Sequence, residues 1–144
     1  MATPVWARLG ETESAVVARY GRMSVKIHRA WGDEAYFSMN GFNITVTLIN
    51  GVSAGELYRC TGHIITDAEA SDFLSANSEG YAWYEHPEEI PQKNYSGIKQ
   101  IWKRPNGSTA VLTGTTFEVK SIDLIIAQQN AANPKPVVPT TQGF

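Results

Sequence analysis

The chain has 144 residues, of which 42% are hydrophobic and 18% charged, and its formal net charge is -2. This composition is enough for one hydrophobic core without disulfides or metals, which excludes a chain that is disordered throughout. Basic residues are scattered singly and no apolar run reaches the length of a membrane span, so we expect neither nucleic-acid binding nor a transmembrane segment.

The first predicted element is a short helix in the segment 10–21. Thr12 is a good N-cap, because its hydroxyl can accept a hydrogen bond from a free N–H group of the first turn. Val16 and Tyr20 give the helix one apolar face, and Gly21 can take the left-handed conformation that ends a helix. Since so short a helix is unstable alone, we expect it to pack on a sheet.

Strand signals follow this helix. Alternation of apolar and polar residues predicts strands over 25–28, 34–39 and, most clearly, 42–49. Asn50-Gly51 comes next and predicts a two-residue hairpin, because both residue types tolerate a positive φ. The return strand is expected to run through 57–59, with Gly55 as a candidate β-bulge.

The second half of the chain repeats this order of helix and strands. Thr66 and Glu69 have the spacing of a capping box, which predicts that a second helix begins there. Further strand patterns lie around 81–83, 98–104, 110–113 and 117–119. The segment 121–130 suits a helix capped by Ser121, although its β-branched residues also suit a strand, and we favour the helix.

The coarse order of elements is therefore α-β-β-β-α-β-β-β-β, with or without a short C-terminal helix. This order predicts a two-layer α+β domain over residues 1–130, in which two short helices pack on one face of a mostly antiparallel sheet. Three prolines among small polar residues predict a flexible tail over 131–144.

The residues Gly10, Thr12, Val16 and Gly21 form a helix-opening pattern. This pattern resembles that of the SmpA/OmlA-like bacterial envelope lipoproteins and, more loosely, β-lactamase-inhibitor-like domains. The resemblance implies a helix on an antiparallel sheet and a non-enzymatic role in assembly or protein binding. It also implies a bacterial protein that is exported or periplasmic. Residues 1–8 lack the basic and apolar regions of a signal peptide, so a leader would have to be missing from this chain.

Aromatic residues on or beside the predicted strands are the first candidates for a binding surface. If Tyr36, Trp83 and Trp102 share a face, they form a platform for a protein partner or a sugar ring. The alternative is that the tryptophans fill the space between helices and sheet, which we favour. An exposed edge strand is another candidate site, for a partner protein or for self-association.

Catalytic and metal-binding patterns are weak. His63 lies between Cys60 and Asp67, but sequence alone does not show that the thiol and the imidazole are in contact. His86, Glu88 and Glu89 share one loop and have the donor types for a cation, although such loops are more often simply solvated. We therefore assign no catalytic residue, metal or cofactor.

The leading hypothesis is a non-catalytic protein-binding or assembly module that works through a sheet face or edge. The alternatives are a small enzyme that uses His63 or His86, and a carbohydrate-binding module that uses the strand aromatics.

Overall fold

The computed structural model describes residues 6–133, which form three α-helices and eight β-strands. The helices are α1 (Glu13–Tyr20), α2 (Asp67–Ala76) and α3 (Ile122–Ala132). The strands are β1 (Val25–Arg29), β2 (Gly32–Met39), β3 (Phe42–Ile49), β4 (Val52–Cys60), β5 (Tyr84–Glu85), β6 (Gln100–Lys103), β7 (Thr109–Leu112) and β8 (Thr116–Lys120). None of the helices in this part of the chain has the length and apolar content needed to cross a membrane.

All eight strands belong to one antiparallel sheet with the order β1-β2-β3-β4-β8-β7-β6-β5. Each half of the chain contributes a run of hairpins, and the two runs join where β4 pairs with β8. The α+β class and the antiparallel sheet are confirmed. The coarse order had three strands before α2, whereas all four strand patterns predicted there form strands, including the edge strand β1 at 25–29.

Both predicted helices pack on one face of the sheet, which we call the core face. Val16 and Tyr20 from α1 and Ala70 and Phe73 from α2 belong to a single buried cluster with the inward side chains of the strands. At its centre the rings of Tyr58 and Phe73 are stacked, with centroids 4.1 Å apart. Tertiary packing of this kind stabilises helices that are too short to be stable alone.

The predicted helix signals are confirmed in atomic detail. The Thr12 hydroxyl accepts from the Ala15 N–H at 3.3 Å, and Thr66 and Glu69 form both hydrogen bonds of the capping box. Ser121 caps α3 by accepting from the Leu124 N–H, which confirms the helix over the strand for this segment.

Two tight turns and one bulge set the register of the first four strands. Asn50 and Gly51 both have positive φ, as a two-residue hairpin of this type requires, and Asn40-Gly41 forms a second such turn. The bulge lies at Ala54 rather than Gly55, because Thr47 pairs with Gly55 and Leu48 with Ser53.

The third helix packs on the opposite side of the sheet, which we call the second face. Strand alternation directs Glu56 to the core face, where Tyr20 of α1 contacts it, so Gly55 lies on the second face. A Cβ atom on Gly55 would meet the Leu124 side chain of α3 at 2.3 Å. A glycine is therefore needed where α3 approaches the sheet.

Two predicted boundaries differ from the structure. The strand expected at 81–83 is displaced to the two residues of β5, and Trp83 precedes it. The domain extends past residue 130, because α3 ends at Ala132, and the remainder of the predicted tail, 134–144, lies outside the described residues.

Candidate functional site

The three aromatic residues predicted as one platform do not share a face. Trp102 is buried on the core face, with its ring centroid 5.8 Å from that of Phe117. Trp83 packs partly buried against the same core, and its indole N–H donates to the Leu74 carbonyl at 3.0 Å. Tyr36 pairs with Thr45 on the second face, so the condition for a platform of these three residues, a shared face, is not met.

The tryptophans instead have the structural role that the alternative predicted. Arg104 lies over the Trp83 ring, with its guanidinium carbon 4.7 Å from the ring centroid. The same guanidinium donates to the Asn77 carbonyl at 3.1 Å and forms an ion pair with Glu79. Because Arg104 is almost fully buried, these contacts fix the segment after α2 against the end of β6.

Cys60 and His63 are in contact, and the acidic residue beside His63 is Glu69 rather than Asp67. The Cys60 sulfur lies 3.4 Å from His63 Nδ1, and His63 Nε2 lies 3.0 Å from the Glu69 carboxylate. Glu69, unlike Asp67, faces His63 because it is folded back by its capping-box hydrogen bonds to Thr66. The thiol is buried beneath the half-exposed imidazole, which suits a structural contact better than a nucleophile.

His86, Glu88 and Glu89 do come together at the surface. His86 Nδ1 lies 2.8 Å from a Glu88 carboxylate oxygen, and the three side chains could each offer one ligand atom to a cation. Lys103 Nζ lies 2.6 Å from Glu89, so a bound cation would have to displace an existing ion pair. The cluster therefore supports no metal assignment.

A buried carboxylate that the sequence analysis missed lies between α1 and β4. Glu56 is almost fully buried and accepts hydrogen bonds from the hydroxyls of Tyr20, Tyr58 and Ser53, at 2.9, 2.7 and 3.1 Å. Burial raises the pKa of Glu56 to about 7, although the three donors act in the opposite direction. The signal was present in the sequence, because Glu56 occupies an inward position of a strand that also directs Tyr58 and Cys60 inward.

An open groove of about 500 Å³ lies on the second face, and a smaller hollow joins its residues Thr45 and Leu57 to Leu124 of α3. Strand register arranges its floor in two rows that run across β2, β3 and β4. The first row is Tyr36, Thr45 and Leu57, and the second is Ser38, Asn43 and Arg59. The rows are two residues apart along each strand, or about 7 Å.

The groove has borders of different kinds. Glu34 and Ser24 line it on the side of β1 and β2, and the Glu34 carboxylate is fixed by Arg29 at 3.0 Å and by the Tyr36 hydroxyl at 2.7 Å. On the other side α3 covers Gly55 and part of β8, where Lys120 donates to Gln128 at 2.7 Å. The floor thus combines hydroxyl, amide and guanidinium groups with the apolar surfaces of Tyr36 and Leu57.

Of the candidate binding residues, only Tyr36 lies in this groove; Arg59, Asn43 and Thr45 were missed. For Asn43 and Thr45 the signal is the polar side of the alternation that predicted β3, which indicates a solvated face and does not distinguish it from a binding face. No protein-family model matches the chain, and no curated protein sequence or solved structure is detectably similar to it.

Proposed function

We propose that the chain is a non-catalytic protein-binding module that holds an extended segment of a partner protein in the groove of the second face. The observation that carries this proposal is the groove itself, which is built on three neighbouring strands and is lined by polar and apolar side chains. Binding residues on rigid strands need little ordering when a ligand binds, which lowers the cost of association.

The chemistry of the floor favours a polypeptide. Hydroxyl and amide groups of Ser38, Asn43 and Thr45 can pair with the backbone of an extended segment, while Tyr36 and Leu57 offer apolar contact area to its side chains. Two strand spacings separate β2 from β4, so the floor is about 10 Å wide, which leaves room for one extended segment lying along the strands.

The two alternative functions have less support. A sugar-binding surface generally needs stacking aromatics, and Tyr36 is the single aromatic residue on the two rows of the floor, with its hydroxyl already engaged by Glu34. A small enzyme that uses His63 would need access to the buried Cys60 thiol, and neither residue lines the groove. His86 is bound by two carboxylates at the surface, away from the groove lining.

The bacterial, exported or periplasmic location remains part of the proposal. It rests on the resemblance of the first helix to envelope lipoproteins, whose pattern of capping Thr12 and terminating Gly21 has a clear structural purpose here. An assembly role in the envelope would suit a module that binds one segment of a larger protein.

Blocking the groove tests the proposal. Thr45 lies at the middle of the first row, so Thr45→Trp should fill the space between Tyr36 and Leu57 without entering the core. We expect a phage-displayed library of random dodecapeptides to give sequences that bind the unmodified protein and lose at least tenfold in affinity for Thr45→Trp.

The matched control is Ser71→Trp, an equally large addition on the exposed side of α2. It should bind the selected peptides as the unmodified protein does. Selection of no peptide, or of peptides that bind Thr45→Trp unchanged, would overturn the groove as the binding site.

A further inference from the structure

Two charged side chains line the groove, and they differ in whether they have a partner. Glu34 forms an ion pair with Arg29 and accepts from the Tyr36 hydroxyl, both at Oε1, so its charge already has a partner. Arg59 lies on β4 in the second row and is exposed. Within residues 6–133 its guanidinium has no ion pair and no side-chain hydrogen bond.

The surroundings of Arg59 are suited to an anion. Asn43 lies opposite it on β3 and Thr116 opposite it on β8, so an amide and a hydroxyl flank the guanidinium on the same face. Ser38 completes the row, and its hydroxyl contacts the Asn43 side-chain oxygen at 3.4 Å. A guanidinium presents a planar fork of N–H donors that matches a carboxylate in a bidentate arrangement.

The acidic residues near the groove do not satisfy this cation. Glu34 lies two residues from Tyr36 along β2, on the side away from the second row. Glu118 lies opposite Leu57 on β8, and its carboxylate is 3.9 Å from Lys120 Nζ. Elsewhere in residues 6–133, Arg19, Lys26, Arg29 and Lys103 form ion pairs, whereas Arg8, Arg22, Lys93 and Lys99 form none. Arg59 matters for binding because this unpaired cation belongs to the lining of the groove.

We infer that the segment bound in the groove is acidic, with an Asp or Glu carboxylate bound by Arg59 and a large apolar side chain packed on Tyr36 and Leu57. This inference rests on the proposed function and names the chemistry of its partner. The two rows are about 7 Å apart, which equals the spacing of residues i and i+2 in an extended chain. A segment that lies along the strands therefore places an acidic and an apolar residue, two positions apart, over the two rows.

Peptide selection tests this inference directly. From the same dodecapeptide library we expect sequences in which an acidic and a large apolar residue are separated by one position. A synthetic peptide of the selected sequence should bind Arg59→Gln about tenfold more weakly than the unmodified protein, as measured by isothermal titration calorimetry. Arg59→Lys, which keeps the charge and loses the planar fork, should lie between the two.

The acidic residue is tested from the peptide side. Replacing it by its amide should weaken binding to the unmodified protein about tenfold and leave binding to Arg59→Gln almost unchanged, since the two groups act as one pair. Peptides with free and amidated C-termini distinguish a side-chain carboxylate from a terminal one, and we expect them to bind alike. Arg8→Gln is the matched control, because Arg8 is exposed and lies before α1, away from the groove.

Failure of this inference is separable from failure of the proposed function. If peptides bind in a way that Thr45→Trp abolishes, but show no acidic preference and bind Arg59→Gln unchanged, the groove is a binding site and the acidic partner is wrong. Because Arg59 is exposed, its replacement leaves the core intact, and the circular dichroism spectrum of each variant should match that of the unmodified protein.

Discussion

Glu56 combines complete burial with a full set of hydrogen-bond donors. The carboxylate is enclosed by the hydroxyls of Tyr20, Tyr58 and Ser53, so it joins α1 to β4 through the core. Tyr58 in turn accepts from the Asn77 side chain at 3.2 Å, which extends the network to the end of α2. A buried network in which each member has partners specifies one arrangement of the helices on the sheet.

The raised pKa of Glu56 makes the free energy of unfolding depend on pH. In the unfolded chain the carboxyl loses its proton near its ordinary pKa of 4.5, whereas the folded protein keeps it until about pH 7. Between these values the folded state binds more protons at Glu56, so the contribution of this group to stability is greatest below pH 4.5 and falls as the pH rises through this window. The full effect is about 3 kcal/mol.

Glu56→Gln should therefore remove this loss. The amide oxygen can still accept from the tyrosines and no charge has to be desolvated. We compare the free energies of unfolding of the variant and the unmodified protein by urea denaturation at pH 4.5 and pH 8. The difference should shift in favour of the variant by about 3 kcal/mol between the two pH values. Glu118→Gln, on the second face, is the control and should show no such gain. A constant difference between Glu56→Gln and the unmodified protein across this range would contradict the raised pKa.

At the scale of single elements, α3 depends on one buried side chain. Leu124 is 2% exposed and packs where Gly55 leaves room on the second face, whereas Ile126 on the same helix is 47% exposed. The helix lies outside the main core cluster, and besides Leu124 it is held by the Ser121 cap, by Ile122 against Gly107 and by the hydrogen bond from Lys120 to Gln128.

Leu124→Ala should release α3 from the sheet more than it destabilises the remainder of the domain. Loss of a buried leucine side chain costs about 2–4 kcal/mol, and here the loss falls on a single helix. Hydrogen exchange should show faster exchange in α3 with the core strands still protected. Ile126→Ala serves as the control and should exchange at the unmodified rate. Equal acceleration in β3 and α3 would show instead that α3 unfolds only with the whole domain.

The elements that sequence predicted best are those with a local signal. The Thr66–Glu69 capping box, the Asn50-Gly51 turn and the alternation of β3 each depend on residues within a few positions of one another. The side of the sheet on which α3 packs depends on Gly55 and Leu124, which are 69 positions apart, so no local pattern could reveal it. The same holds for the groove, because Arg59 and Tyr36 meet only through the pairing of β2, β3 and β4.

At the scale of the whole molecule, the sheet has two free edges of unequal length. β5 has two residues, while β1 has five and presents one side of its backbone to solvent. Val25 and Ile27 lie on its second-face side, and Lys26 and His28 on its core-face side, where they pair with Glu13 and Asp33. An edge of this length is the other candidate for a partner strand or a second copy of the chain.

Charges on β1 favour the groove over this edge as the binding surface. Lysine on an edge strand opposes the addition of another strand, because pairing would force its charge next to the incoming chain. In an antiparallel pair of two β1 strands centred on Ile27, Lys26 of each copy would lie opposite His28 of the other. We therefore propose that β1 is a protected edge rather than an assembly surface.

Removing these charges should expose the edge. The double variant Lys26→Val with His28→Val leaves the residues β1 needs for pairing with β2 and adds β-branched side chains to an open edge. Sedimentation velocity should then show self-association that increases with protein concentration, whereas the unmodified protein stays monomeric in the same range. Gln92→Val with Lys93→Val, in the exposed loop before β6, also removes one lysine and adds two valines, and it should not associate. If the unmodified protein already dimerises and Ile27→Lys abolishes the dimer, β1 is an assembly surface and the groove is not the principal contact.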